Sequence, residues 1–165
     1  LCYVNMEGAP LAGVEVDVWH ASTVGLYESQ DPTQADMNLR GKFTTDETGH
    51  VWFGSIKPSG YPIPTDGVVG KLLAAQNRHP FRPAHLHALA FKEGFKTLTS
   101  QIYSESDEKL ESDVQFGVTE ALITRYQRHD EPHPEESSVK VPWYTMDCTL
   151  VMEHGKAELP APPIK

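Results

Sequence analysis

The chain of 165 residues has a formal net charge of -9, and 39% of its residues are hydrophobic. This length supports one domain with a buried core, and an acidic chain without a basic cluster argues against nucleic acid or a membrane surface as a partner. No apolar run is long enough to span a membrane, and Cys2 and Cys148 are too few for a disulfide scaffold, so we expect a cytoplasmic protein with a small-molecule partner.

The amino-terminal half alternates short strands with turn-rich loops. Residues 14–18 alternate valine with acidic side chains, which is typical of a half-buried strand. Residues 42–45 and 50–56 flank an Asp-Glu-Thr-Gly turn and predict a hairpin. Residues 20–37 and 57–70 are rich in turn-forming residues, so both are expected to be irregular loops.

The carboxy-terminal half combines further strands with two helical patterns. Residues 69–76 and 118–128 have the spacing of short helices. Strands are predicted at residues 85–91, 98–103 and 143–153, where apolar and polar side chains alternate.

Many short strands with little helix are typical of an antiparallel β-sandwich. We therefore predict a mainly β chain that forms a single sandwich domain over residues 1–165, with long irregular loops and one or two short helices. Residues 129–138 are expected to be an exposed loop and residues 159–165 an extended tail.

A His-x-His pair is the first candidate for metal chemistry. Successive side chains of a strand point to opposite faces, so His85 and His87 share one face while Ala84, Leu86 and Ala88 take the other. Two imidazoles therefore converge on one point. Alternating histidines also occur as ordinary strand residues, so the pair alone does not define a site.

Two tyrosines in predicted loops extend the set of donors. Tyr27 follows Gly25, and Tyr61 lies in the Pro- and Gly-rich segment 57–70. Phenolate oxygen is a hard anionic ligand suited to ferric iron, whereas imidazole suits many transition metals. Two tyrosines with two histidines point to Fe(III) rather than zinc, although each tyrosine alone could be a core or surface aromatic residue.

Five ordered segments resemble the intradiol ring-cleavage dioxygenases, and together they cover nearly the whole chain. The segments are VDVWHA with GLY (16–27), LRGKFTTD (39–46), YPIPTDG (61–67), RHPFRPAHLH (78–87) and SDVQFGV (112–118). The third segment is most similar to the hydroxyquinol 1,2-dioxygenase branch, with the catechol 1,2-dioxygenases next.

This resemblance implies one non-haem Fe(III) per chain. Tyr27 would be the equatorial and Tyr61 the axial phenolate ligand, with His85 equatorial, His87 axial and a hydroxide in a fifth position. Tyr61 also has an implied catalytic role, because it accepts a proton from the bound diol and leaves the metal.

Further roles follow from the same resemblance. Arg82 would bind substrate and stabilise negative charge that builds on its ring; the alternative is a solvated surface arginine. Gln101 matches a catalytic position near the iron-bound substrate, and the alternative is an ordinary strand glutamine. Ile63 and Pro64 match residues that line the ring pocket.

The implied reaction opens the ring of hydroxyquinol (1,2,4-trihydroxybenzene), or of a related catechol, between its two hydroxylated carbons. Dioxygen is the second substrate, the product is a maleylacetate or muconate-type diacid, and neither nicotinamide nor flavin is required. Fused members of this branch have an amino-terminal helical part that builds a dimer interface and one wall of the pocket. This chain begins after that part, so a homodimer is expected only for a longer protein.

Two alternatives stay open from the residues themselves. The first is a cupin-like metal dioxygenase that uses His85, His87 and Glu93, although the spacing to Glu93 is long and no later cupin histidine motif follows. The second is a non-enzymatic, transthyretin-like sandwich that binds a partner, because the segment 8–14 resembles the opening of such domains.

Overall fold

Short strands dominate residues 1–159, the part of the chain that this computed structural model describes. In chain order they are β1 (Cys2–Asn5), β2 (Glu15–His20), β3 (Arg40–Thr44), β4 (Tyr61–Pro62), β5 (Phe81–Arg82), β6 (His85–Phe91), β7 (Leu98–Ser104), β8 (Ile123–Thr124), β9 (Tyr126–His129), β10 (Trp143–Met146) and β11 (Thr149–Met152). The α-helix α1 (Val68–Ala75) lies between β4 and β5, and short 3-10 helices occupy Leu110–Ser112 and Glu120–Leu122.

The largest sheet has five strands in the order β3-β2-β6-β7-β8. Its first four strands are antiparallel, whereas β8 joins β7 in parallel. Three two-stranded sheets complete the fold: the parallel pair β1–β11 and the antiparallel pairs β9–β10 and β4–β5. The predicted mainly β class is confirmed, with mixed rather than wholly antiparallel pairing.

The core lies between the five-stranded sheet and the β1–β11 pair. Alternation along β2 and β6 sends Val16, Val18, Leu86 and similar side chains to one face, where they pack in a single buried cluster with residues of β1 and β11. The opposite face of the sheet is therefore free to hold polar side chains.

Two predicted elements of the amino-terminal half differ from the structure. Residues 50–56 form no strand: Leu1 and Val51 exchange backbone hydrogen bonds of 2.8 and 2.9 Å, so this segment joins the amino terminus instead of residues 42–45. The expected loop 57–70 contains β4, because Tyr61 pairs with Arg82, and it also contains the first three residues of α1.

The helix predicted at 118–128 is wrong. This segment forms a 3-10 turn followed by β8 and β9, because Ile123 pairs with Tyr103 and the β9 residues pair with β10. β-branched residues such as Ile123 favour this extended backbone. The single strand predicted at 143–153 is two strands in different sheets.

The predicted helix at 69–76 is confirmed as α1, which buries Leu73 against the domain. Residues 130–138 are irregular and mostly exposed, while His129 ends β9. Within residues 1–159, no helix has the length and apolar character needed to cross a membrane. Residues 160–165 of the predicted tail lie outside the described residues.

Candidate metal centre

Strand β6 brings the two histidines to the face opposite the core. Leu86 and Ala88 point into the buried cluster, so His85 and His87 point the other way, as predicted. His85 is only 1% exposed, because loops cover this end of the sheet. Its Nδ1 lies 2.6 Å from the carbonyl oxygen of Pro83, which requires Nδ1 to carry the proton and leaves the lone pair of Nε2 facing the site.

The two tyrosines reach the histidines from separate segments. Tyr27 lies in the loop after β2, and Tyr61 lies in β4, where the ladder to β5 places it beside Arg82. Gly25 has a φ of +77°, and a Cβ added there would lie 3.0 Å from Cβ of Tyr61. The loop that carries Tyr27 therefore packs directly on the backbone that carries Tyr61.

Four donor atoms converge on one point. The Tyr27 Oη lies 3.0 Å from the Tyr61 Oη and 3.0 Å from the His87 Nε2. The His85 Nε2 lies 3.4 Å from the Tyr61 Oη and 3.2 Å from the His87 Nε2. A metal ion held at about 2.0–2.2 Å keeps neighbouring donors roughly 3 Å apart, so these separations fit a single ion.

The protonation states of the donors also fit a cation. Burial, aided by the charge of Arg82, lowers the pKa of His85 to about 4 even though the Pro83 carbonyl raises it. Burial and the neighbouring His85 lower the pKa of His87 to about 3. Burial and the hydrogen bond to Tyr61 raise the pKa of Tyr27. Both imidazoles are therefore neutral at pH 7, and a phenolate at Tyr27 requires a cation beside it.

Arg82 is buried beside the donors rather than solvated. It is 2% exposed, and its Nη1 donates to the His85 Nε2 at 3.2 Å. Its Nε and Nη2 face the carboxylate of Asp113 at 3.3 and 3.4 Å, while Nη2 also donates to the Gln101 Oε1 at 2.7 Å and the Tyr103 Oη at 3.2 Å. Burial alone would lower the pKa of Arg82, but Asp113 outweighs it and raises that pKa.

Gln101 links Arg82 to the histidine strand. Its Oε1 accepts from Arg82 and from the Tyr103 hydroxyl, and its Nε2 lies 3.4 Å from the His87 Nδ1. The register of β6 and β7 explains these contacts, because Gln101 lies opposite His87 and Tyr103 opposite His85. Gln101 is thus part of the site network rather than an isolated strand residue.

Asp113 and Tyr103 belong to this network, and sequence reasoning missed both. The SDVQFGV segment was part of the family resemblance, so it marked the region of Asp113 without assigning that residue a role. The position of Tyr103 depends on strand register, which the sequence pattern does not define.

Ile63 and Pro64 lie directly after β4. The backbone N–H of Ile63 donates to the Pro80 carbonyl at 3.0 Å, which holds this segment near β5, and Pro64 is exposed. Their proposed place in a ring pocket stays a prediction.

Comparison with known proteins identifies the class to which this fold and donor set belong. The dioxygenase family model (Dioxygenase_C) matches residues 2–148. The chain therefore belongs to the intradiol ring-cleavage dioxygenase family. This assignment is inconsistent with the cupin-like alternative, and Glu93 lies exposed beyond the end of β6.

Within the family, similar proteins include hydroxyquinol and catechol 1,2-dioxygenases. Hydroxyquinol 1,2-dioxygenase of Rhizobium sp. (strain MTP-10005) is 45% identical over 143 residues, which are 86% of this chain and 48% of that protein. The crystal structure of 3-chlorocatechol 1,2-dioxygenase from Rhodococcus opacus 1CP has a TM-score of 0.82 at 36% identity, covering 93% of this chain and 58% of that one. Hydroxyquinol 1,2-dioxygenase from Pseudomonas putida DLL-E4 has a TM-score of 0.76 at 34% identity, with 93% and 55% covered. The chain thus spans about half the length of these relatives.

Proposed function

We propose that this chain is the catalytic part of a ferric dioxygenase that opens hydroxyquinol, or a related catechol, between its two hydroxylated carbons with O2. The product would be a maleylacetate or muconate-type diacid. The observation that carries this proposal is the convergence of the Tyr27, Tyr61, His85 and His87 donor atoms within 3.0–3.4 Å of their neighbours. These residues would hold one Fe(III), which supplies Lewis acidity toward a bound diol.

Tyr61 is suited to take a proton from the diol. Its hydroxyl lies 3.4 Å from the His85 Nε2, the longest separation between neighbouring donors, and its backbone belongs to a two-residue strand rather than to the central sheet. The side chain can therefore turn away more easily than those of β6. A phenolate within hydrogen-bond reach of a substrate hydroxyl acts as its base.

Arg82 supplies positive charge beside the donor atoms, and Gln101 helps to orient its guanidinium. The Arg82 guanidinium reaches the His85 Nε2, so its charge lies beside the donor cluster in a water-poor environment, where it stabilises negative charge on the substrate ring. Gln101 and Asp113 hold this guanidinium from the other side. Its position is thus set before substrate binds.

Hydroxyquinol is the preferred substrate in this proposal. The Tyr61–Gly67 segment has the form of the hydroxyquinol branch, and the 45% identical relative is named a hydroxyquinol 1,2-dioxygenase. Ile63 and Pro64 would line the ring pocket beside Tyr61. Catechol is the second candidate, because several relatives are named catechol 1,2-dioxygenases.

Oxygen uptake by the iron-loaded protein tests the proposal. We expect one O2 consumed per ring opened, fastest with hydroxyquinol, slower with catechol and slowest with protocatechuate. Arg82→Lys should lower this rate because Lys lacks the planar fork that meets Asp113 and Gln101, whereas Arg125→Lys, at an exposed position, should not. Faster turnover of catechol would overturn the branch assignment, and no uptake with any of the three diols would overturn the function.

A further inference from the structure

A row of side chains crosses the central sheet at the level of His87. Arg40 on β3 lies opposite Trp19 on β2, Trp19 lies opposite His87 on β6, and His87 lies opposite Gln101 on β7. Side chains in register on adjacent strands share one face and touch. The row therefore places an arginine and a tryptophan behind one of the proposed iron ligands.

His87 is held differently from His85. The Nδ1 of His85 is 2.6 Å from a carbonyl oxygen, whereas the nearest partner of the His87 Nδ1 is an amide nitrogen of Gln101 at 3.4 Å. A metal-binding histidine normally needs a firm partner at its second nitrogen to set its ring orientation. For His87 the Trp19 ring sets this orientation instead, because it stacks on the His87 ring at 4.7 Å between centroids and 5° between planes.

The row also reaches Tyr27. The guanidinium of Arg40 lies 5.9 Å from the Trp19 ring centroid, and its Nε donates to the Glu28 Oε1 at 2.9 Å. Glu28 directly follows Tyr27, and its side chain is only 12% exposed. The Tyr27 Oη in turn lies 3.0 Å from the His87 Nε2. The contacts therefore form a closed ring that runs from His87 through Trp19, Arg40, Glu28 and Tyr27 back to His87.

Hydrogen bonds hold this loop in two ways. The Tyr27 hydroxyl contacts Tyr61 and His87. The other hydrogen bonds around Tyr27 stay within the loop, such as the Tyr27 N–H to the Gln30 Oε1 at 3.0 Å and the Gln34 Nε2 to the Leu26 carbonyl at 3.2 Å. The Glu28–Arg40 pair instead joins the loop to β3, in the same row as His87.

We infer that Glu28, Arg40 and Trp19 are positioning residues that set the Tyr27 phenol and the His87 imidazole relative to each other. This inference rests on the proposed function insofar as those two groups bind iron. The residues do not touch the reacting atoms. They act by restricting the loop and the ring that do.

The variant Glu28→Gln, compared with Asp17→Asn, tests the inference. Asp17 on β2 pairs with Lys42 on β3 at 3.7 Å. This pair lies on the same face of the sheet as Trp19 and Arg40, two residues further along each strand. The variant Asp17→Asn therefore also removes one negative charge, but at a pair that does not contact Tyr27 or His87. In the metal-free protein, Glu28→Gln should shift the NMR ring signals of both Tyr27 and His87, whereas Asp17→Asn should shift neither.

Iron retention gives the second readout. We expect Glu28→Gln to lose iron about tenfold faster than the wild type and to shift its visible absorption, with Glu28→Asp restoring part of the difference. Ring signals and iron loss that match those of Asp17→Asn would overturn the inference. An iron-loaded wild type without tyrosinate absorption would defeat the proposed function, while the ring signals of the metal-free variants would still decide the positioning role.

Discussion

Arg82 and Asp113 place opposite charges side by side in the interior of the domain. Their side chains are 3% and 1% exposed, and the carboxylate also accepts the Gly117 backbone N–H at 2.8 Å. Removing one partner of a buried ion pair leaves an uncompensated charge, which costs more than removing both. The two residues therefore depend on each other for stability as well as for orientation.

We expect Arg82→Met to lower the free energy of unfolding by about 3 kcal/mol, because Asp113 remains buried without its cation. The double variant Arg82→Met/Asp113→Asn should recover part of this loss. Urea unfolding of both proteins measures the difference. A double variant less stable than Arg82→Met would contradict the pairing described here.

The two histidines predict a pH dependence for the metal-free protein. Burial lowers the pKa of His85 to about 4 and that of His87 to about 3, from 6.5 in an unfolded chain. Below pH 6.5 the unfolded state thus binds more protons than the folded state, so stability is full above pH 6.5 and declines as the pH falls toward these lowered values. Unfolding followed from about pH 7 to about pH 4 should show this decline. In the variant His87→Gln, stability should decline less steeply as the pH falls. An unchanged slope would contradict the assignment of this decline to the buried histidines.

At the scale of elements, the turn before Tyr27 packs closely against β4. Gly25 and Gly8 have similar positive φ values, +77° and +81°, but a Cβ would meet Tyr61 and the Gly60 carbonyl at Gly25 and nothing within 4 Å at Gly8. Alanine at either position carries the same left-handed backbone strain, of about 1 kcal/mol. Only at Gly25 must a neighbouring side chain, that of the proposed ligand Tyr61, also move.

Gly25→Ala should therefore destabilise the protein by about 2 kcal/mol or more and release iron on dialysis, whereas Gly8→Ala should cost about 1 kcal/mol and retain iron. Urea unfolding and the iron content after dialysis provide the two measurements. Equal effects of the two variants would show that the Tyr61 contact does not constrain the site.

Elements with a strong local pattern were predictable, and those defined by distant partners were not. The alternation around His85 and His87 correctly predicted β6, and the pattern of residues 69–76 predicted α1. Residues 118–128 form strands because β7 and β10 offer them backbone partners, which local spacing does not reveal. Residues 50–56 likewise depend on a distant partner, because Val51 donates a backbone hydrogen bond to Leu1.

At the scale of the whole molecule, the four side chains that converge could be named from the sequence, but the contacts that surround them could not. The sequence places Tyr27, Tyr61, His85 and His87 in segments that resemble one family, and the fold brings their donor atoms together. The network around Arg82 and the row behind His87 depend on the register of four strands. Register follows from turns and from packing across the whole sheet, so these contacts emerge only in the assembled domain.

The visible absorption spectrum of the iron-loaded protein tests the central claim most directly. Tyrosinate bound to Fe(III) absorbs visible light by charge transfer, so the wild type should be burgundy to red. Tyr61→Phe should remove part of this absorption, and Tyr144→Phe, in a strand outside the site, should leave it unchanged. A colourless iron-loaded protein, or a Tyr61→Phe spectrum identical to that of the wild type, would contradict the assignment of these tyrosines as iron ligands.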